Sequence, residues 1–212
     1  MDKLLLYTAG SSSREILLAI DQLNELDPTW DVLGFVDENP EIIGKEVCGY
    51  PVYGPDHKEI ASDVYGVCGI MNPQIRRRII EELIEGKGLS LATIIHPSVI
   101  LPLDIKVGPG TIIMPSVNIS YEVKIGKGTF VLWGSLLGHN VCIGNYSMIM
   151  SSANILAGCS VGDMSTIGTG ATLNVNVSIG QYGLVGVGTT VLRDLGDSET
   201  VVSLPRQLIN KR

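Results

Sequence analysis

Aromatic side chains are scarce in this 212-residue chain: two Phe, two Trp and seven Tyr make up 5%, against 45% hydrophobic residues overall. A core of large rings is therefore excluded, and small and branched aliphatic residues must fill the interior. Cysteine is also sparse. Cys48, Cys68, Cys142 and Cys159 form no CxxC pair and no metal-like spacing, which argues against a zinc site and leaves no metal expected. Basic residues are outnumbered, 15 Lys and Arg against 22 Asp and Glu, for a formal charge of −7. That balance argues against nucleic acid or an anionic membrane as partner, while leaving room for a small anionic ligand held by local donors. Long apolar runs are missing too. The opening MDKLLLYTAG holds only a four-residue apolar run, too short for a signal core or a spanning helix, so a reducing cytoplasm is the expected setting.

What the chain does have is a repeat. VGPGTI, IGKGTF, IGNYSM, VGDMST and IGQYGL begin at residues 107, 125, 143, 161 and 179, each 18 after the last. Every sixth residue from Val107 to Val191 is aliphatic, fifteen positions without an insertion. Two residues before each, a second column from Thr111 onward is small or β-branched. An aliphatic and a small residue recurring every six fit a coil that turns three corners per 18 residues, with both columns directed inward. The pattern predicts a left-handed parallel β-helix of hexapeptide type, its coils about 4.8 Å apart. Gly108, Gly126, Gly144, Gly162 and Gly180 would serve corners that need either positive φ or close backbone approach. Cys159 falls in the small inward column and Cys142 precedes Ile143, so both read as packing residues.

Before the repeat the pattern changes. KLLLYTAG, WDVLGFVDENP and DVYGVCGI read as strands; SSSREILLAIDQLNEL and NPQIRRRIIEELIEGKG read as helices. In the first helix Ile16, Leu17, Ile20 and Leu23 share one face; in the second, Pro73 suits the first turn and Gly86 or Gly88 the end. Strand–helix alternation implies a small Rossmann-like α/β domain over residues 1–94, with the β-helix and a tail over 95–212. Ligands of such sheets bind beyond the carboxyl ends of the strands, where TAGSSSRE lies. Ser11, Ser12 and Ser13 would offer hydroxyls and N–H groups to a phosphate at a helix N-terminus, and Asp37 an acceptor to a ribose or base. Equally, the serines would simply cap the helix and Asp37 begin a turn.

YTAGSSSREIL, GFVDENPEIIGKEVCGYPVYG, IIHPSV, the unbroken hexapeptides and the terminal SLPRQLI, in this order along nearly the whole chain, resemble the sugar acyltransferases related to PglD and NeuD. The resemblance implies a homotrimer that acetylates a nucleotide-linked sugar with acetyl-CoA as donor, in surface polysaccharide or glycan synthesis. It implies a nucleotide-sugar site at Gly10, Ser11, Ser12, Ser13, Arg14, Asp37 and Glu38, and a catalytic histidine at His139 in LLGHNVCIG. It also implies acetyl-CoA contacts at Met148, Gly158 and Gly168, with Arg206 or Lys211 reaching the nucleotide part of the donor.

Three residues depart from the family pattern. Asn140 stands where an acid is expected, Met148 replaces a second histidine, and Leu132 replaces an asparagine. Histidine suits general-base work because its ordinary pKa lies near neutrality, but its other nitrogen needs an acceptor. The 18-residue register stacks Tyr121 and Glu122 beside His139 and Asn140, so Glu122 is expected to supply part of the missing negative charge. His96 and His57 are expected to be structural. Two other functions fit the departures: transfer to a non-nucleotide acceptor such as an amino acid or a free sugar, and a trimeric scaffold that has lost catalysis.

Overall fold

In the computed structural model, which describes residues 1–57 and 63–203, the apolar run Leu4–Tyr7 lies at the centre of a sheet. Strand β1 (Asp2–Tyr7) pairs in parallel with β2 (Trp30–Val36) on one side. A short hairpin of β3 (Glu46–Val47) and β4 (Tyr50–Tyr53) extends that side. On the other side lie β5 (Val64–Cys68) and β6 (Ser90–Leu91), so the order is β3-β4-β2-β1-β5-β6. All but the β3–β4 pair are parallel. Successive side chains of β1 alternate between two apolar clusters, as a strand covered on both faces requires. Leu4 and Leu6 meet Ile16, Leu17 and Ile20 of helix α1 (Ser11–Leu26), while Leu5 and Tyr7 meet Ile79, Ile80 and Ile84 of the second helix.

That second helix begins as α2 (Pro73–Arg78), with Asn72 Oδ1 accepting the Ile75 N–H and Pro73 in the first turn. It widens to a π-helical turn over Ile79–Ile84, tightens to a 3₁₀ turn over Glu85–Lys87 and stops at Gly88, whose φ is +79°.

From Ile94 the chain winds into a three-sided prism. The first face holds seven two-residue strands from Ile94–Ile95 to Thr200–Val201, the second five from Asn118–Ile119 to Thr190–Val191, and the third five from Lys106–Val107 to Ser178–Ile179. Each strand pairs in parallel with the one 18 residues on, as in Lys124–Ile125 with Cys142–Ile143, except the last pair, Leu184–Val185 with Thr200–Val201, which is 16 apart. The fold is a left-handed parallel β-helix. All fifteen members of the aliphatic column lie in or against one apolar core. The small column packs beside it: Thr129, Ser147 and Ser165 are fully buried, and each hydroxyl donates to a glycine carbonyl one coil ahead, at 2.7–2.8 Å. The glycines that follow the aliphatic residues have ordinary φ; they are needed for close approach. A Cβ at Gly126 would lie 2.6 Å from both Asn145 N and Gly144 C of the next coil. Positive φ falls two residues later, as at Gly128 and Tyr146.

The α/β domain covers the first face of the prism. Ile112, Phe130, Leu132 and Met148 point outward from that face, or from its corner, into the cluster that includes Leu4, Leu6 and Ile16. Leu132 (4% exposed) and Met148 (1%) are therefore interdomain packing residues, and their apolar character needs no catalytic explanation. His96 braces the same junction, with Nδ1 2.8 Å from Ser98 Oγ and Nε2 2.8 Å from Gln22 Oε1. His57 stacks on Tyr53.

Candidate functional site

Two sites emerge, one in each half. The first is a cleft of about 380 Å³ beyond the carboxyl ends of β1, β2 and β5. Gly10, Ser11, Ser12, Asp37 and Glu38 line it on one side, and Ile70, Met71, Ile75, Ile79 and Leu83 form an apolar wall. Tyr7 also lines it; burial pushes its phenol up to about 12, so the hydroxyl stays protonated and donates to Leu83 O at 3.2 Å.

Gly10 is the N-cap of α1 in extended conformation, and no side chain caps the helix. The first helical backbone bond runs from Arg14 N to Gly10 O, which leaves the earlier N–H groups facing the cleft mouth. Those donors and the helix dipole favour an anion. The serines therefore do not act as caps, and they do not act alike. Ser11 and Ser12 line the cleft, whereas Ser13 is fully buried, its Oγ 2.9 Å from Thr8 Oγ1. Gly69 presses so close that a Cβ there would come 2.0 Å from Ser13 Oγ. Ser13 is thus a packing residue, and Arg14 is exposed on α1 without lining the cleft. Asp37 both borders the cleft and begins a turn. It lines the cleft, while its carboxylate accepts from Ala9 N–H and Asn39 N–H, both at 2.8 Å, tying the β1–α1 loop to the turn after β2. Glu38 is gripped by both terminal nitrogens of Arg78, whose hydrogen bonds hold its carboxyl below the usual range.

The second site lies on the prism edge between the second and third faces. His139 is exposed there, and Nδ1 lies 2.8 Å from Asn140 Oδ1. Asn140 Nδ2 in turn donates to Glu122 Oε2. Because the amide nitrogen faces Glu122, the amide oxygen faces the ring; Nδ1 then carries the hydrogen and Nε2 holds a lone pair. Both Glu122 and Asn140 have positive φ, 57° and 59°, the corner geometry that aims their side chains along the stack. The Tyr121 ring lies parallel to the imidazole, 5.1 Å between centroids and 5° between planes. Asp104, one coil further back, accepts the Glu122 N–H at 2.8 Å. A groove of about 370 Å³ beside this series is lined by Asp104, Lys106, Glu122, Lys124, Asn140 and Cys142. Cys142 is exposed in that groove, so it is not the packing residue its position suggested: strand residues alternate, and only Ile143 points inward. Lys106, Lys124 and Cys142 are one rung apart, a stack that the same 18-residue register contains.

The donor contacts expected along the coils fare differently. Met148 is buried between the domains and Gly168 is buried in the wall. The Gly168 N–H donates to Val185 O and its carbonyl accepts from Ala171 N, so neither residue offers a group to a ligand. Gly158 is exposed one rung from Asn140; its N–H donates to His139 O at 2.9 Å. Arg206 and Lys211 lie outside the described residues. No helix among the described residues is long and apolar enough to cross a membrane, and no described group of His, Cys, Asp or Glu is arranged to hold a metal.

The cleft and the imidazole lie on opposite sides of one chain. The α/β domain sits on the first face, and the edge between the other two faces of a triangular prism is the one opposite it.

Residues 3–83 match the family of PglD N-terminal domains. No curated protein matches the chain significantly. Among solved structures, PerB from Caulobacter crescentus in complex with CoA and GDP-perosamine superposes with a TM-score of 0.86 at 24% identity, covering 97% of this chain and 96% of that one. The acetyltransferase domain of PglB from Neisseria gonorrhoeae FA1090 gives 0.85 at 22%, covering 96% and 97%. WeeI from Acinetobacter baumannii AYE gives 0.85 at 22%, covering 94% and 96%. The segment from 3 to 83 therefore resembles a PglD N-terminal domain, and with its β-helix the chain has the fold of PerB, WeeI and the PglB acetyltransferase domain.

Proposed function

We propose that this chain is an acetyl-CoA-dependent acetyltransferase acting on an amino or hydroxyl group of a nucleotide-linked sugar, in the synthesis of a surface polysaccharide or other glycan. One observation carries the reading: the hydrogen-bonded series Glu122–Asn140–His139, which occupies Nδ1 and leaves the Nε2 lone pair facing outward. The uncharged attacking group adds to the thioester carbonyl carbon while Nε2 takes its proton. The carbon–sulfur bond then breaks, and the departing thiolate collects that proton, giving the acetylated sugar and CoA with the imidazole restored. Positive charge on the ring during the reaction is stabilised by Glu122 through the Asn140 amide.

The cleft in the α/β domain suits the other end of the substrate. Phosphates would sit against the uncapped start of α1 at Ser11 and Ser12, and the base between Asp37 and the apolar wall of Ile70, Met71 and Ile75. The complex of PerB with CoA and GDP-perosamine, and that of the PglB domain with acetyl coenzyme A, support the same pair of ligands here. Gly158, exposed beside His139, is the remaining coil residue able to offer a carbonyl to the donor arm. Because cleft and imidazole face opposite ways in one chain, a substrate that joins them must bridge two chains, which favours the homotrimer. All four cysteines are free, as suits a cytoplasmic enzyme.

The test is CoA release from acetyl-CoA with a panel of UDP-, GDP- and CMP-linked amino sugars. One member should turn over, and His139→Ala should lower kcat/KM at least ~100-fold, the usual scale for a general base. An unchanged rate in that variant would remove the role given to the ring.

A further inference from the structure

Arg76 is the one charged side chain that is fully buried among the described residues, and no carboxylate neutralises it. A guanidinium has five N–H donors, and all five are used here. Nη1 donates to Ile70 O (2.8 Å) and Met71 O (2.7 Å). Nε donates to Gly128 O (2.7 Å), and Nη2 to Tyr146 O (2.6 Å) and Ser147 O (3.1 Å). The Phe130 ring covers its face, 4.5 Å from Cζ to the centroid. Burial lowers its pKa to about 10, which still leaves it a cation at neutral pH.

The five acceptors come from two places. Ile70 and Met71 are wall residues of the cleft, in a segment with no helix or strand of its own. Gly128, Tyr146 and Ser147 belong to two successive coils of the prism. Apolar contacts already join the domains through Phe130, Leu132 and Met148, so adhesion alone does not call for a buried cation. What the guanidinium adds is direction: its planar fork fixes the angle and distance between those carbonyls, which apolar packing does not.

We propose that Arg76 is a positioning residue for the substrate, setting the Gly69–Met71 wall of the nucleotide cleft at a fixed place on its own prism and, through the packing of prisms, relative to the imidazole of the neighbouring chain. Its kinetic consequence rests on the acyl-transfer reading above. The sugar nucleotide is held by the α/β domain of one chain and reacts at the prism edge of its neighbour, so an error in the wall relative to its own prism becomes an error at the reacting atom.

Arg76→Lys keeps the charge, supplies three donors instead of five and loses the plane. Two measurements on the full chain test the idea. In amide hydrogen exchange, peptides spanning Gly69 to Asn72 should exchange at least tenfold faster in the variant, with β1 and the prism unchanged. With the sugar nucleotide found in the panel, its KM should rise at least tenfold, while kcat and the KM for acetyl-CoA stay within about threefold. Unchanged exchange and an unchanged KM in folded Arg76→Lys overturn the proposal; so does a uniform loss of protection with all kinetic constants falling together, which is plain destabilisation. If the wild type acetylates no sugar nucleotide, the acyl-transfer reading has failed, and the exchange result alone decides for or against Arg76. Should Arg76→Lys not fold, Phe130→Leu leaves the five acceptors in place and should show the same local pattern at about threefold; no local change would count against the idea.

Discussion

The imidazole of His139 touches Asn140, and Asn140 touches Glu122, so negative charge reaches the ring through one neutral amide. Replacing Glu122 by Gln keeps the shape and removes the charge. Without that anion the imidazolium formed during the reaction loses its partner. Glu122→Gln should therefore cut kcat/KM by roughly tenfold, part of the 10²–10⁴ that a general base contributes. Asn140→Asp makes a sharper test. It places the acid directly on the ring but sets two carboxylates in contact, one of which must take up a proton. The single variant should lose activity, and adding Glu122→Gln should recover most of it. A single Asn140→Asp as active as wild type would mean that Glu122 carries no charge to the site.

The corner turns and strands were legible in the sequence because their period is strict. Six residues per face left no freedom in which side chains pointed inward, so the fifteen-member aliphatic column and the Tyr121–His139 stack followed from counting. The β3–β4 hairpin was not read, because its strands are two and four residues long; its signal was the Cys48–Gly49 pair, both at positive φ, as a tight two-residue turn requires. Ser13 and Met148 were misassigned for another reason: which helix or strand residues face a second domain is fixed by docking, and the local pattern does not carry it. The wall residues Ile75, Ile79 and Leu83, four apart on the second helix, form an apolar stripe at helical spacing, a signal that went unread. At this scale the close stacking of coils sets a prediction. Gly126→Ala places a methyl 2.6 Å from the next coil and should cost about 1–3 kcal/mol in urea unfolding, the usual range for overpacking, although the residue changes by a single carbon. Ile149→Ala, in the fully buried column, should cost about 2–5 kcal/mol by leaving a cavity.

For the molecule as a whole, the cleft and the prism belong to one packed body, since the cluster around Leu4 and Ile16 continues into Phe130 and Met148. Ligand bound in the cleft should therefore raise the melting temperature of the entire chain. A nucleotide at 100 times its Kd contributes about 2.7 kcal/mol. For a chain of this size that is a shift of about 5–11 °C. Thermal scans with UDP, GDP and CMP should single out one base by this margin; three flat responses would mean that the uncapped start of α1 holds no nucleotide.

The acid stands one rung away along the stacking axis from the amide and the imidazole, 18 and 17 residues from them in the chain, while those two are neighbours. Such chemistry tolerates some genetic accidents and not others. Loss of a complete circuit above Gly158 shortens the column and leaves the trio in line. Loss of a single hexapeptide between Glu122 and His139 turns everything after it by a third of a revolution, carrying the ring to a different edge, away from its acid. Length variation in chains built this way should accordingly come in whole circuits beyond the histidine, and in nothing smaller beside it.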